Sequence, residues 1–164
     1  MGDRRAIFIT GGGSGIGRAV AVYFGQRGWF VGLGDIDKAG MRETEDVIGN
    51  GFVYSPPLDV RDRSAWDEAL DAFCVAAGGR IDVLFNNAGV PLGGSLTENS
   101  AEEIERTLDI NLKGVLFGAQ AAYPYLKQTA PGSCLLNTAS AAGLYGTPGA
   151  SVYSATKFGV RAVT

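Results

Sequence analysis

Short apolar runs alternate along this chain with longer stretches of helical periodicity, and that alternation sets the expected elements. It predicts strands at Ala6 to Thr10, Trp29 to Asp35, Phe52 to Ser55, Ile81 to Asn86 and Ser133 to Ala139. Helices are expected near Ile16 to Arg27, Lys38 to Ile48, Ser64 to Ala76 and Ala101 to Gln128, with a last one beginning near Ser151. Consecutive strand-helix units form parallel sheets with helices on both faces, so the fold class is α/β. Neither an internal repeat nor a linker divides the chain. Pro56-Pro57 reads as a local turn, because apolar patterning resumes within ten residues on either side. One domain over residues 1–164 is expected.

Composition narrows the chemistry. The 164 residues are 46% hydrophobic with a net charge of -3, and a chain of this length buries roughly two thirds of its unfolded surface without help from disulfide or metal. Cys74, in a helical pattern, and Cys134, in an apolar run, are expected to be buried thiols in a reducing compartment. The apolar run after the basic opening, Ala6 to Ile9, is too short for a signal-peptide core or a membrane span, so the cytoplasm is the expected location. Scattered Lys and Arg in an acidic background give no stripe for nucleic acid and no membrane surface. There is no histidine. No metal site is expected, and proton transfer must fall to Tyr, Lys, Asp, Glu or Cys.

The first strand runs into Thr10-Gly-Gly-Gly-Ser-Gly-Ile-Gly17 and then into a helix. Glycines there permit close approach of a pyrophosphate to free helix N-terminal amides, so Gly11, Gly13, Ser14, Gly15, Ile16 and Gly17 are candidate cofactor contacts. A tight turn without a ligand is the competing reading. The strict G-x-G-x-x-G pattern is absent. The ATP-type P-loop fails too, because Arg18-Ala19 follow Gly17 instead of Lys and Ser or Thr.

The glycines fit G-x-x-x-G-x-G on Gly11, Gly15 and Gly17. Together with Asp59-Val60, Asn86-Asn87-Ala88-Gly89, Asn111, Ser140 and Tyr153-x-x-x-Lys157, in this order and with Ser140 thirteen residues before Tyr153, they make the whole chain resemble the short-chain dehydrogenase/reductase family of the classical type. The resemblance implies a Rossmann-like doubly wound parallel sheet and a nicotinamide cofactor. Family members usually run to about 250 residues, so it also implies a chain truncated on its C-terminal side, lacking the substrate loop and last strands.

Asp35 ends the second predicted strand eighteen residues after Gly17, where a dinucleotide-binding unit places the acid that bonds the adenosine ribose. A carboxylate there favours NAD over NADP by like-charge repulsion, and neither Ser14 nor Ile36 supplies a compensating cation. Helix capping is the bland alternative for Asp35, and Asp37 fits that role better. Asp59 and Val60 resemble the family's adenine contact, with an N-cap competing for Asp59 and Asp62 better placed to cap. Asn87, Ala88 and Gly89 resemble the segment passing under the adenosine ribose, although the asparagines also suit bracing between strands.

The expected chemistry rests on four residues. Tyr153 and Lys157 lie four apart and share one helical face, so the ammonium favours the phenolate form. The resemblance makes Tyr153 the general acid or base on an alcohol or carbonyl, with Lys157 also holding the nicotinamide ribose. It makes Ser140 a hydrogen-bond donor to the substrate oxygen and Asn111 the holder of a water beside the lysine. Ser154, adjacent to Tyr153, must point about 100° away. Leu92, Gly93, Leu144, Tyr145 and Pro148 line a mostly apolar mouth or pack in the core. The expected activity is NAD-dependent interconversion of a secondary alcohol and a ketone by a homodimer or homotetramer. Two alternatives stand beside it: a non-catalytic dinucleotide-binding protein, and an extended-type relative acting on nucleotide sugars, whose G-x-x-G-x-x-G turn these glycines do not match.

Overall fold

Successive strand residues face opposite sides of a sheet, so in the first strand Ala6 and Phe8 serve one core while Ile7 and Ile9 serve another. Strand β1 (Ala6–Thr10) is therefore buried on both faces. In the computed structural model, which describes residues 4–49 and 53–164, it is the centre of a five-stranded sheet of order β3-β2-β1-β4-β5 with every pairing parallel. The other strands are β2 (Phe30–Gly34), β3 (Val53–Tyr54), β4 (Val83–Asn86) and β5 (Cys134–Asn137). The helices are α1 (Gly15–Gly25), α2 (Lys38–Ile48), α3 (Arg63–Ala76), α4 (Ala101–Leu108), α5 (Gly114–Gln128) and α6 (Ser151–Ala162). This is the doubly wound α/β fold that the pattern implies. The first predicted strand has the observed bounds, the other four are longer than the observed ones at their ends, and Phe52 lies outside the described residues. Pro57 makes one further parallel bridge, to Asp35, so the strand-like run passes beyond the turn.

The two cores differ in character. Phe8, Trp66, Leu70, Phe73 and Leu84 pack under α3 and α5, with the Phe8 and Phe73 rings edge-to-face at 5.1 Å. Ile7, Ile9, Val31, Leu33, Met41 and Ile48 form an aliphatic core under α1 and α2. The aromatic side explains why β2 carries Gly32: a Cβ there would stand 2.3 Å from the Phe8 ring. Asp37 caps α2 through the Ala39 and Gly40 amides, and Asp62 caps α3 through Ser64 and Ala65. Asp59 is thereby free of capping duty.

Two sequence expectations need correction here. The helix predicted from Ala101 to Gln128 is interrupted by a π-helical turn, Asp109–Lys113. The additional residue in that turn rotates Asn111 fully inward, to 0% exposure. The cysteines are not both buried: Cys74 is half-buried and Cys134 stands at one of the exposed positions that alternate along β5. Burial, and then Asp71, push the Cys74 thiol up. Among the described residues no helix is long and apolar enough to cross a membrane, and no group of three His, Cys, Asp or Glu gathers as metal ligands would.

Candidate active site

From β1 the chain winds outward through β2 and β3, then returns to β4 on the other side of β1. This reversal opens a crevice at the C-terminal ends of β1 and β4, the place where open α/β sheets bind ligands. The glycine turn sits on that crevice. Gly11 adopts φ +68°, and Gly17 rests so tightly on it that a Cβ would lie 2.1 Å from the Gly11 carbonyl oxygen. Gly15, at φ +51°, faces open space, with nothing within 4 Å of where its Cβ would be. Ser14 stands at the N-cap of α1 without its side chain capping anything, and Ile16 is exposed. The first amides of α1 are thus presented outward to an anion. Arg18 anchors the back of the turn, donating to the Gly13 carbonyl, Thr44 Oγ1 and Glu43.

Asp35 closes one side. Its Oδ2 accepts from the Gly13 amide at 2.9 Å and its Oδ1 from the Asp37 amide at 3.0 Å, which leaves each oxygen a further lone pair for a ligand. A cleft of about 160 Å³ runs from Asp35 and Ile36 past Asp59, Val60 and Arg61 to Ala88, Gly89 and Arg106. Asp59 is chelated by Arg61, whose guanidinium holds its carboxyl below the usual carboxylate range. Neither Arg61 nor Arg106 was expected in the site. A cation two residues after an acid in a loop carries no sequence signal, and Arg106 belongs to a helix face that reads as solvated.

At the end of β4 the Asn87 and Ala88 amides both donate to Thr10 Oγ1 at 3.0 Å, and Asn87 Nδ2 donates to the Thr10 carbonyl. Asn86 braces β4 to β5 through Asn137 at 2.9 Å, in keeping with the bracing role. Thr10 is thus a positioning residue of the site that the motif contains but its glycines overshadow. Thr10→Val, which keeps the shape and removes the acceptor, should cost about 2 kcal/mol, or roughly 4–8 °C in Tm. An unchanged Tm in differential scanning calorimetry would refute the importance of this clamp.

Helix α6 supplies the titratable pair. Lys157 is only 4% exposed; its Nζ donates to the Thr138 carbonyl at 2.9 Å and lies 5.7 Å from the centroid of the Tyr153 ring. Burial pushes this ammonium below the ordinary lysine value. Gly89 brings the other parts to it: a Cβ there would lie 3.3 Å from Asn111 Oδ1 and 3.8 Å from Lys157 Nζ. Ser140 begins a 3-10 turn, Ala141–Gly143, and accepts from the Ala142 amide. That turn is pressed on α6, since a Cβ on Gly143 would stand 2.7 Å from the Lys157 carbonyl oxygen, and Arg161 donates to Gly143. Ser154 is buried and accepts from the Thr147 amide, pointing away as expected.

The Asn111 side chain is held from two sides: Oδ1 accepts from the Val90 amide and Nδ2 donates to the Val90 carbonyl, both at 2.8 Å, while Nδ2 also lies 3.4 Å from Thr156 Oγ1 on α6, next to Lys157. The inward rotation of the π-turn fixes it there, so its side chain pins the segment after β4. Of the residues expected at an apolar mouth, Leu144 and Tyr145 are 62% and 61% exposed, which removes core packing as their explanation.

The residues present fit a dinucleotide: an open glycine cradle, outward helix amides, a carboxylate with spare lone pairs and a cleft between them. Comparison with known proteins agrees. The family model described as short chain dehydrogenase matches residues 5–164. Meso-2,3-butanediol dehydrogenase of Serratia marcescens is 36% identical over 155 residues, covering 94% of this chain and 61% of its own length. A 3-oxoacyl-acyl-carrier-protein reductase of Thermotoga maritima is 37% identical over 166 residues, covering 99% and 66%. A short chain dehydrogenase/reductase of Burkholderia phymatum, solved in complex with NAD, superposes with TM-score 0.93 at 33% identity, over 98% of this chain and 58% of that one. Actinorhodin polyketide ketoreductase, solved with NADPH, gives TM-score 0.92 at 30% identity, over 99% and 63%. The chain therefore spans about three fifths of the length of such relatives. A match that runs almost from end to end, on a sheet with the same order of motifs, has one reading: this chain belongs to the short chain dehydrogenase family.

Proposed function

We propose that this chain carries the cofactor site and proton-transfer group of an NAD-dependent oxidoreductase that interconverts a secondary alcohol and a ketone. The observation that carries this reading is the buried ammonium of Lys157 held beside the Tyr153 ring and next to Gly89, which lines the cleft. When bound, the nicotinamide supplies the hydride acceptor or donor. In this reading the turn from Gly11 through Gly13, Ser14, Gly15 and Ile16 to Gly17 receives the pyrophosphate. Asp35 and Ile36 border the adenosine ribose, Asp59 and Val60 the adenine, and Asn87, Ala88 and Gly89 the floor. Tyr153 takes the alcohol proton during oxidation and returns it during reduction, Lys157 stands beside its ring and holds the nicotinamide ribose, and Ser140 donates to the substrate oxygen. Asn111, fixed by its two hydrogen bonds to Val90, holds a water beside Lys157 in this reading. The test is reduction of NAD by a panel of secondary alcohols, using the protein that carries this chain. Binding of NAD without any turnover would leave the non-catalytic reading in place.

In this reading NAD is favoured over NADP because the Asp35 carboxylate borders the proposed ribose position and neither Ser14 nor Ile36 supplies a cation to offset a phosphate. The relatives named above are divided on this point, one solved with NAD and one with NADPH, so the preference rests on Asp35 alone. Asp35→Ala is expected to lower the NAD-to-NADP ratio of kcat/KM by about tenfold or more, the effect of removing one like-charge contact of a few kcal/mol. An unchanged ratio would refute the ribose contact.

We also propose assembly as a homodimer or homotetramer. Leu108, Leu116 and Tyr123 are exposed at helical spacing along α4 and α5, an apolar stripe suited to an identical helix pair. Sedimentation equilibrium tests this directly, and a monomer at working concentration would sink it.

A further inference from the structure

The adenine side of the cleft holds an arrangement that the dinucleotide reading does not require. Asp59 Oδ1 accepts from the Arg61 backbone amide and from Arg61 Nε, both at 3.0 Å, while Oδ2 accepts from Nη2 at 2.6 Å and from Nε at 3.1 Å. A carboxylate has about four lone-pair sites. Three N–H groups, with Nε shared between the two oxygens, fill most of these sites and leave roughly one acceptor direction on the carboxylate. The loop around the pair is equally constrained. The Asp59 carbonyl accepts from the Asp62 amide, and the Val60 carbonyl accepts from the buried indole of Trp66. On the far side, Gly114 at the start of α5 is packed on Val60, where a Cβ would lie 2.9 Å from Val60 Cγ2. Asp109, itself paired with Lys113, adds an attractive field on Arg61.

We infer that Arg61 is a positioning residue for base recognition: it fixes the Asp59 carboxylate so that one acceptor direction meets the purine, selecting a base with an amino group at that edge. This rests on the dinucleotide reading above and deepens it. A carboxylate held on the C6 substituent accepts from the amine of adenine and meets only the carbonyl oxygen of hypoxanthine, whereas a carboxylate free to turn could accept from the neighbouring N1–H of hypoxanthine instead. Without the fork, Asp59 regains side-chain rotamers and can turn its charge to water, and the distinction is lost. Lys in place of Arg keeps the positive charge but not the planar two-point grip.

The experiment is calorimetric titration with NAD and with its hypoxanthine analogue, for the unmodified protein and for Arg61→Leu and Arg61→Lys. Neither variant should unfold, since an exposed ion pair contributes little to stability and Tm reports this independently. The unmodified protein is expected to prefer NAD by on the order of tenfold or more, one charged hydrogen bond. Arg61→Leu should reduce that preference to about threefold or less, and Arg61→Lys should recover only part of it. A general loosening of the loop would weaken both ligands equally and leave the ratio unmoved. A ratio in Arg61→Leu equal to or above that of the unmodified protein would overturn the inference, as would full recovery by Lys, which would make the charge sufficient. If NAD binds and the ratio does not depend on Arg61, the inference fails and the dinucleotide reading stands. If the unmodified protein binds neither ligand, both fail.

Discussion

Tyr153→Phe is expected to lower kcat by about 10²–10⁴-fold while leaving NAD affinity close to that of the unmodified protein. Removing one oxygen atom removes the proton carrier, and general acid-base catalysis is worth that factor, or roughly 3–5 kcal/mol of barrier. The fold should tolerate the change. The Tyr153 hydroxyl enters none of the hydrogen bonds made among the described residues, so its loss leaves no buried group unpaired. The ring that faces Lys157 is retained. No other group can substitute easily, since the chain has no histidine, and Lys157 is occupied by the Thr138 carbonyl. Steady-state kinetics together with NAD titration separate the two effects. A variant that still turned over within about tenfold of the original would remove Tyr153 from the proton path, and one that lost NAD binding as well would make its role structural.

The second large effect is expected from the smallest side chain. In Gly17→Ala the added methyl would lie 2.1 Å from the Gly11 carbonyl oxygen, 2.7 Å from the Gly11 carbonyl carbon and 2.8 Å from Asn87 Nδ2. Two of these atoms are backbone, and the third is tied to Thr10 by a hydrogen bond. None can swing aside as the tip of a flexible chain would. Either α1 moves away from the turn or Gly11 leaves its φ of +68°. Overpacking of this kind typically costs about 1–3 kcal/mol and more when backbone must shift, a fall of at least roughly 5 °C in Tm for a domain of this size. The same displacement turns the first amides of α1 away from the crevice, so NAD binding should fall below detection. Gly146→Ala provides the contrast, because nothing lies within 4 Å of a Cβ at that position. Retention of NAD binding in Gly17→Ala would show that the turn is not the phosphate cradle.

Much of this site is legible before any coordinates because its geometry is local. Tyr153 and Lys157 share a face by helical spacing alone, and Gly15 and Gly17 open the helix that follows β1. Asp37 and Asp62 announce themselves as caps by standing just before apolar periodicity. What stays hidden is set by longer-range contacts or by backbone irregularity. The π-turn at Asp109–Lys113 shifts the phase of one long helix without altering its composition, so the inward aim of Asn111 has no sequence counterpart. Cys134 falls on the exposed side of β5, and a run of apolar letters does not say which of its alternate positions face outward. Arg61 grips Asp59 because a loop brings their side chains side by side, and nothing periodic marks it.

Trp66 has a consequence that reaches beyond packing. It is one of two tryptophans in the chain, fully buried at 0% exposure, and its indole N–H holds the carbonyl of Val60, which lines the cleft beside Asp59. The other, Trp29, is half-buried beneath the guanidinium of Arg5 and packs with the aliphatic core on the opposite face of the sheet. Each indole therefore senses a different half of the molecule. With Trp29 replaced by Phe, the tryptophan fluorescence of this chain would come from one emitter whose hydrogen-bond acceptor, the Val60 carbonyl, belongs to a residue that lines the cleft. The molecule then carries its own optical readout of that loop, without label or coupled assay.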